Sequence, residues 1–338
     1  MKVTINDIAK AANVSKSTVS KVLNDAPSIP DSTKRKIREI MKELNYIPSS
    51  LATHLAKQRC FNIGLLIDLS RKNDFLNHFF YDIIGGVEST IGPLNYELTI
   101  SNIHTMGQEH FMNRLVLNKK VDGLIMDNSI LTKEIAAQLN DLSFPFVSLG
   151  EMPGVENIHE VDIDSRLGGK MLTDHLFAQG YKRIAFIGGE TNEPIFMNRM
   201  TGYTASLEEH GVAIDQRLIK PSYVNATIGS QLVLELLELE EAPDAVVCMN
   251  NAIAFGVLRA LRERRIQVPK EMGVATFDNY PLAPYTTPAL TAMHMDTFEL
   301  GVAAGEMLMD RINDERRSQR HRLIVPALLE RESTKRIL

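Results

Sequence analysis

Apolar residues in the first fifty positions recur at three- and four-residue spacing, whereas beyond position 60 they gather in short unbroken runs. The chain therefore predicts a small helical unit ahead of a larger α/β body. Thr4 precedes the periodic run Ile5, Ile8, Ala9 and Ala12, with Asp7 three residues on, a weaker form of the capping box that starts a helix. Asn13 follows where a tight turn between helices favours a residue tolerant of positive φ. Ser15 caps a second helix, whose inward stripe is Val19, Val22 and Leu23 and whose opposite face carries Lys16, Ser17, Ser20 and Lys21. Residues 24 to 30 are rich in turn formers, and Asp31 to Tyr46 predicts a third helix with Ile37, Ile40, Met41 and Leu44 facing inward. Spacing alone leaves two readings open: a helix-turn-helix, or a small bundle with a solvated basic face.

Farther along, Ile63 to Ile67, Leu98 to Ile100, Gly123 to Met126, Phe146 to Leu149, Ile184 to Ile187, Ala245 to Cys248 and Val274 to Phe277 read as buried parallel strands alternating with helices. That alternation implies doubly wound α/β lobes. The Leu-rich stretch from Leu232 to Leu239 lies between strands and packs a helix onto a sheet more simply than it makes a dimer seam. Residues 48 to 59 are too short to hold a helix alone in water.

Charge changes the picture of the N-terminal unit. The chain carries a net −5, but residues 1 to 59 hold eleven Lys or Arg against five acids, so +6 sits there and −11 on the remainder. A small basic domain on a large acidic body suits contact with phosphate while discouraging non-specific adhesion. At 338 residues the chain is long enough for two or three domains. No apolar stretch is long enough to span a bilayer, and Asn6, Asp7 and Lys10 stand where a signal peptide needs an apolar run, so a cytoplasmic location is expected. Cys60 and Cys248 stand far apart and read as packing residues, and the nine His residues form no metal-ligand spacing. Enzyme motifs fail as well. G-x-G-x-x-G is absent, and the Walker-like pair Gly169-Lys170 has Asp164 at the first glycine position and Met171 where magnesium needs Ser or Thr. No catalytic group, cofactor or metal is expected.

The run Thr4-Ile5-Asn6-Asp7-Ile8-Ala9-Lys10-Ala11-Ala12-Asn13-Val14-Ser15-Lys16-Ser17-Thr18-Val19-Ser20-Lys21-Val22-Leu23-Asn24 closely resembles the headpiece of the lac-repressor (LacI/GalR) family. Leu44-Asn45-Tyr46-Ile47-Pro48 matches the end of its third helix, and the resemblance extends over nearly the whole chain. It implies an N-terminal helix-turn-helix headpiece plus a two-lobed, periplasmic-binding-protein-like core of doubly wound parallel sheets. The divisions are residues 1–47 for the headpiece, 48–59 for a hinge helix, 60–161 with 291–321 for one lobe, and 162–290 with 322–338 for the other.

By that resemblance Lys16, Ser17 and Lys21 read bases in the major groove, Ser15, Thr18, Ser20 and Asn24 position the phosphate backbone, and Thr4 is a further DNA-binding residue. Lys21 stands where many relatives have Arg. Leu55 matches the hinge leucine that wedges into the minor groove, and Thr53 replaces a common Arg. The alternative for this segment is an ordinary linker. In the core, Asn77-His78-Phe79-Phe80-Tyr81 resembles the family's N-P-F-F segment with His78 in place of proline. Arg199-Met200-Thr201-Gly202 matches its R-x-x-G, Asn250 the Asn of its N-D-x-x-A-x-G, and Phe277-Asp278-Asn279 its F-D-N. The implied effector site is Phe79, Phe80, Arg199, Asn250 and Asp278, a guanidinium, an amide and a carboxylate able to serve adjacent hydroxyls, although an Arg–Asp pair is often only structural.

Asn251 replaces the motif's usual Asp, a departure that blurs the ligand's identity, whereas the purine-responsive branch has an Arg near position 193 and this chain has Glu193, which disfavours a nucleobase. The implied partners are a pseudo-palindromic operator, a small sugar-like effector, a second copy of the chain and, in one variant, a phosphorylated carrier protein. No heptad tail follows, so no tetramerising helix is expected. The alternatives are a corepressor-dependent regulator and a soluble sugar-binding protein without operator function.

Overall fold

The computed structural model describes residues 3–23, 25–46, 59–67, 78–102, 108–279, 282–313 and 320–336. Its headpiece has helices α1 (Ile5–Ala12), α2 (Lys16–Leu23) and α3 (Asp31–Glu43). The Asp7 carboxylate accepts from both the Thr4 N–H, at 2.9 Å, and the Thr4 hydroxyl, at 2.7 Å, closing the start of α1. Asn13 takes the left-handed turn with φ 56°, and Val14 N–H returns to the Ala9 carbonyl at 3.0 Å. Ile8, Ala9, Ala12, Val19, Val22 and Ile37 are buried together, so each helix contributes apolar side chains to one small core. The third helix stops short of the predicted Tyr46. Asn45 turns left-handed at φ 46° and Tyr46 N–H bonds the Met41 carbonyl at 2.8 Å, which brings Tyr46 onto the core and leaves Leu44 exposed at 39%. The inward placement of Leu44 is thereby corrected.

Strands and helices then alternate: β1 (Asn62–Ile67), α4 (His78–Ile91), β2 (Glu97–Asn102), α5 (Gln108–Phe111) running on as a π-helical segment (Met112–Leu117), β3 (Gly123–Asp127), α6 (Lys133–Asp141), β4 (Phe146–Leu149) and β5 (Glu160–Ile163). A second series follows with α7 (Ser165–Ala178), β6 (Ile184–Ile187), α8 (Pro194–Glu209), β7 (Ile219–Lys220), α9 (Ala226–Leu237), β8 (Ala245–Cys248), α10 (Asn251–Glu263), β9 (Gly273–Phe277) and β10 (Thr291–His294). The last elements are α11 (Thr297–Asn313), β11 (His321–Ile324) and β12 (Ala327–Leu329).

Two six-stranded sheets result, ordered β11-β5-β4-β3-β1-β2 and β12-β10-β9-β8-β6-β7, with every pairing parallel except β10 with β12. Strands β4, β6, β8 and β9 are buried along their whole length, which is why they read as unbroken apolar runs. In α9, Val233 and Leu236 are buried against the sheet residues Ile187 and Val246, so the Leu-rich stretch is core.

The chain passes between sheets at Asp164, at Met295 and Asp296, and at Val325 and Pro326. The divisions expected from sequence place these crossings at 161/162, 290/291 and 321/322. Sheet pairing carries β5 to Ile163 and β11 to Ile324 in the first lobe and gives β10 to the second, which moves each crossing by a few residues. Helix α11 returns to pack on α4. There Gly86 and Gly301 let the backbones touch, since a Cβ on either would strike a carbonyl of the other helix. Among the described residues no helix is long and apolar enough to cross a membrane.

Candidate functional site

Two regions bring candidate side chains together, the outer face of α2 and the crevice between the lobes. Val19 and Val22 anchor α2 from below, so Lys16, Ser17 and Lys21 are exposed on its other side. Ser15 caps this helix. Its hydroxyl accepts from Thr18 N–H at 3.1 Å and is hydrogen-bonded to the Ser17 and Thr18 hydroxyls at 2.7 and 2.8 Å. Thr18 and Ser20 are half-buried, and Thr4 is exposed at the start of α1. Asn24 and Leu55, with the rest of residues 47–58, lie outside the described residues.

Three of the five cations of α3 behave differently, while Arg35 and Lys42 are exposed. Lys34 and Arg38 both meet the Asp25 carboxylate, at 3.1 and 2.8 Å, and Lys36 donates to the Ala12 carbonyl at the end of α1, at 3.1 Å. The headpiece cations thus include Lys34, Lys36 and Arg38, engaged within the unit, and outward-facing ones, among them Lys16 and Lys21 side by side on α2.

In the crevice, Arg199 on α8 is almost fully buried. It donates from Nη1 to the Met249 carbonyl at 2.5 Å, approaches Asp278 Oδ1 with Nη2 at 3.5 Å, and stacks 4.0 Å over the Phe277 ring. Its Nε has no partner among the described residues. Burial pulls the guanidinium below its ordinary pKa, with Asp278 and Asp162 opposing, while enclosure raises the Asp278 carboxyl against the pull of Arg199. Asp278 leaves β9 with φ 67°, a left-handed conformation that Asp tolerates better than most side chains. The R-x-x-G motif has a packing logic as well. A Cβ at Gly202 would collide with the Arg166 carbonyl, and one at Gly169 with the Arg199 carbonyl, so these two glycines let α7 and α8 meet and set the depth of Arg199. Gly169, the residue of the Walker-like fragment, is accounted for by this contact.

The other expected residues divide. Asn250 caps α10, its side-chain oxygen accepting from Ile253 N–H at 3.1 Å, and is adjacent in sequence to the Met249 carbonyl that Arg199 engages. Asn251 is buried with neither side-chain polar atom partnered among the described residues. Asn279 is tied to Arg331 at 2.7 Å. Phe80 packs against the first lobe's core, and the Phe79 side chain lies outside the described residues, so no aromatic wall of the crevice is described.

Sequence reasoning did not single out the cavity between the lobes. It measures about 110 Å³ and is lined by Glu151, Asp162, Ile163, Asp164, Ser165, Arg166, Asn198 and Leu323. Asn198 on α8 donates to Glu151 Oε2 at 2.9 Å and accepts from Arg166 at 3.1 Å, linking the lobes through one amide. The Asp162 carboxylate accepts from the N–H groups of Glu151 and Ile163, at 3.1 and 2.7 Å, yet burial pushes it up to about 6. Asp164 caps α7, accepting from Leu167 N–H at 2.8 Å. Alternation was the available signal: Glu160 and Asp162 place an acid at every second position of β5, whose other residues are buried, and Asp164 follows directly after the strand.

Residues 4–49 match the model of the bacterial regulatory proteins of the lacI family, and residues 173–334 that of the periplasmic binding protein-like domain. The chain is 31% identical over 336 residues to the HTH-type transcriptional repressor PurR of Vibrio atlanticus, covering 98% of each. Among solved structures, the transcriptional regulator CelR–cellobiose complex aligns with a TM-score of 0.72 at 25% identity, over 98% of this chain and 99% of that one. The lac repressor dimer bound to operator and the anti-inducer ONPF aligns with a TM-score of 0.79 at 23% identity, over 99% of each. A helix-turn-helix carried on a periplasmic-binding-protein-like core defines a DNA-binding transcriptional regulator rather than an enzyme. The chain belongs to the LacI family.

Proposed function

We propose that this regulator is a homodimeric repressor of carbohydrate-utilisation genes, releasing or gripping a pseudo-palindromic operator according to a sugar-like effector held between its lobes. The observation that carries the reading is the division of charge on the headpiece, with Lys34, Lys36 and Arg38 engaged internally and Lys16, Ser17 and Lys21 exposed together on α2. Lys16, Ser17 and Lys21 are the base readers, and Thr4, Ser15, Thr18, Ser20 and Asn24 hold the phosphates. Leu55 wedges the operator centre.

In the core, Arg199, Asp278 and the Asn250 amide supply donors and acceptors for neighbouring hydroxyls. The cellobiose bound by one relative supports a sugar, as does Glu193 at the position where the purine-responsive branch has Arg. Effector and operator act on one equilibrium between lobe arrangements. Selection of bound fragments from a random DNA library by the full chain, at fixed near-physiological salt, tests the reading. Enrichment of one pseudo-palindrome supports it, and no enrichment with or without sugars favours a sugar-binding protein instead.

A further inference from the structure

The chain enters the core through a short stretch, Arg59 to Asn62, that is fastened to three elements. Arg59 donates from Nη2 to the Ile312 carbonyl at 2.8 Å and from Nη1 to Asn313 Oδ1 at 2.9 Å, a cation seated on the C-terminal end of α11. The Asp122 carboxylate, just ahead of β3, accepts from Cys60 N–H at 2.9 Å, from Phe61 N–H at 2.8 Å and from the Cys60 thiol at 3.2 Å. Phe61 is left-handed at φ 53°, where a bulky side chain is an outlier that only its surroundings can hold. Its ring lies 5.2 Å from that of Tyr96, and its carbonyl accepts from Glu97 N–H at 2.9 Å, at the start of β2. Sheet pairing secures β1 from Asn62 onward, yet the fastening begins three residues earlier and uses two charged side chains. It fixes the direction of the chain before the strand starts.

We propose that Arg59 and Asp122 are positioning residues for operator binding: they fix the direction in which the chain leaves the core toward the headpiece, and with it the half-site spacing that two headpieces can bridge. The inference rests on the dimeric repressor reading given above and adds the residues that set that spacing. A headpiece on a loosely attached tether samples many separations and meets its half-site at low effective concentration, whereas a directed exit confines it to few. A merely structural role, covering the strand ends, would lower stability without touching the choice of spacing.

Binding isotherms of the full chain at fixed salt test the assignment, with Arg59→Ala, Asp122→Asn and the conservative Arg59→Lys run beside the wild type. The probes are the pseudo-palindrome selected from the random library and the same duplex with one or two base pairs inserted at its centre. The wild type is expected to lose about tenfold or more in affinity on insertion. In Arg59→Ala and Asp122→Asn the parent duplex should bind more weakly while the insertion penalty shrinks toward unity, with Arg59→Lys in between. Partial unfolding scales binding to every duplex alike, so it cannot mimic that pair of changes, and urea unfolding verifies that each variant folds. The Ala and Asn variants also alter net charge in opposite directions, so attraction to phosphate moves their affinities apart, whereas lost positioning moves both the same way. A wild type that tolerates the insertions, or a penalty undiminished in both variants, overturns this inference and leaves the repressor reading standing. Selection that enriches no pseudo-palindrome overturns both.

Discussion

Arg199 and Asp278 meet at 3.5 Å with side chains 4% and 40% exposed, so one partner belongs to the protein interior and the other still reaches solvent in the crevice. Asp278 is therefore the solvent-facing member of the pair and Arg199 the enclosed one.

Replacing Asp278 leaves the Arg199 guanidinium without its counter-charge. Asp278→Ala is expected to abolish the effector response and leave operator affinity largely intact. The cost in unfolding free energy is set by the buried Arg199 left unpaired, about 1–3 kcal/mol, short of a fully buried pair because the Asp278 side chain is 40% exposed. Operator binding with and without effector, together with urea unfolding, checks both parts. A retained response removes Asp278 from the site.

Lys21 and Lys34 separate recognition from stability. Lys21→Ala is expected to weaken specific operator binding by about 1–3 kcal/mol without moving the headpiece melting transition. Lys34→Ala removes an ion pair and a hydrogen bond to Asp25, so it should lower that transition first. Thermal melts and binding isotherms on the same samples compare the two.

Ser15 acts through the helix it caps. Ser15→Ala leaves Thr18 N–H without its acceptor and is expected to cost about 1 kcal/mol of headpiece stability. Ser15→Asp, which restores an acceptor, should recover the stability while its added negative charge weakens operator binding. Melting curves and binding isotherms read the two effects separately.

Asp162 gives the molecule a pH signature. Its carboxyl is near 6 in the folded chain against an ordinary 3.8, so between these values the folded chain keeps a proton that the unfolded chain has released. The contribution favours folding below about 4, fades as pH rises through about 6, and is absent above it. The urea midpoint of the wild type, compared with that of Asp162→Asn, should therefore gain as pH falls from about 7 to about 5. Equal midpoint changes in the two proteins would deny Asp162 its shifted titration.

Much of this was legible in the chain because local chemistry and global fold agree. Asn13 takes the left-handed turn that its position required, and the apolar runs such as Phe146 to Leu149 are strands buried along their length. Arg199 and Asp278, almost eighty residues apart, were matched by family pattern and do meet. Leu44 was misplaced because helical periodicity cannot register a left-handed Asn45 that ends the helix early. The cavity escaped notice because Glu151, Asp162, Arg166 and Asn198 come from both lobes and meet only where strands cross between them. No local pattern encodes that meeting, apart from the alternate acids of β5.

Cleft occupancy and operator affinity are expected to share one equilibrium. Fluorescence anisotropy on the selected operator, at one stated salt concentration and with cleft occupancy measured in parallel by calorimetry, tests it most directly. A saturating cleft ligand is expected to change the operator Kd by about tenfold or more, with the change lost in Asp278→Ala. A filled cleft with an unchanged operator Kd would contradict it.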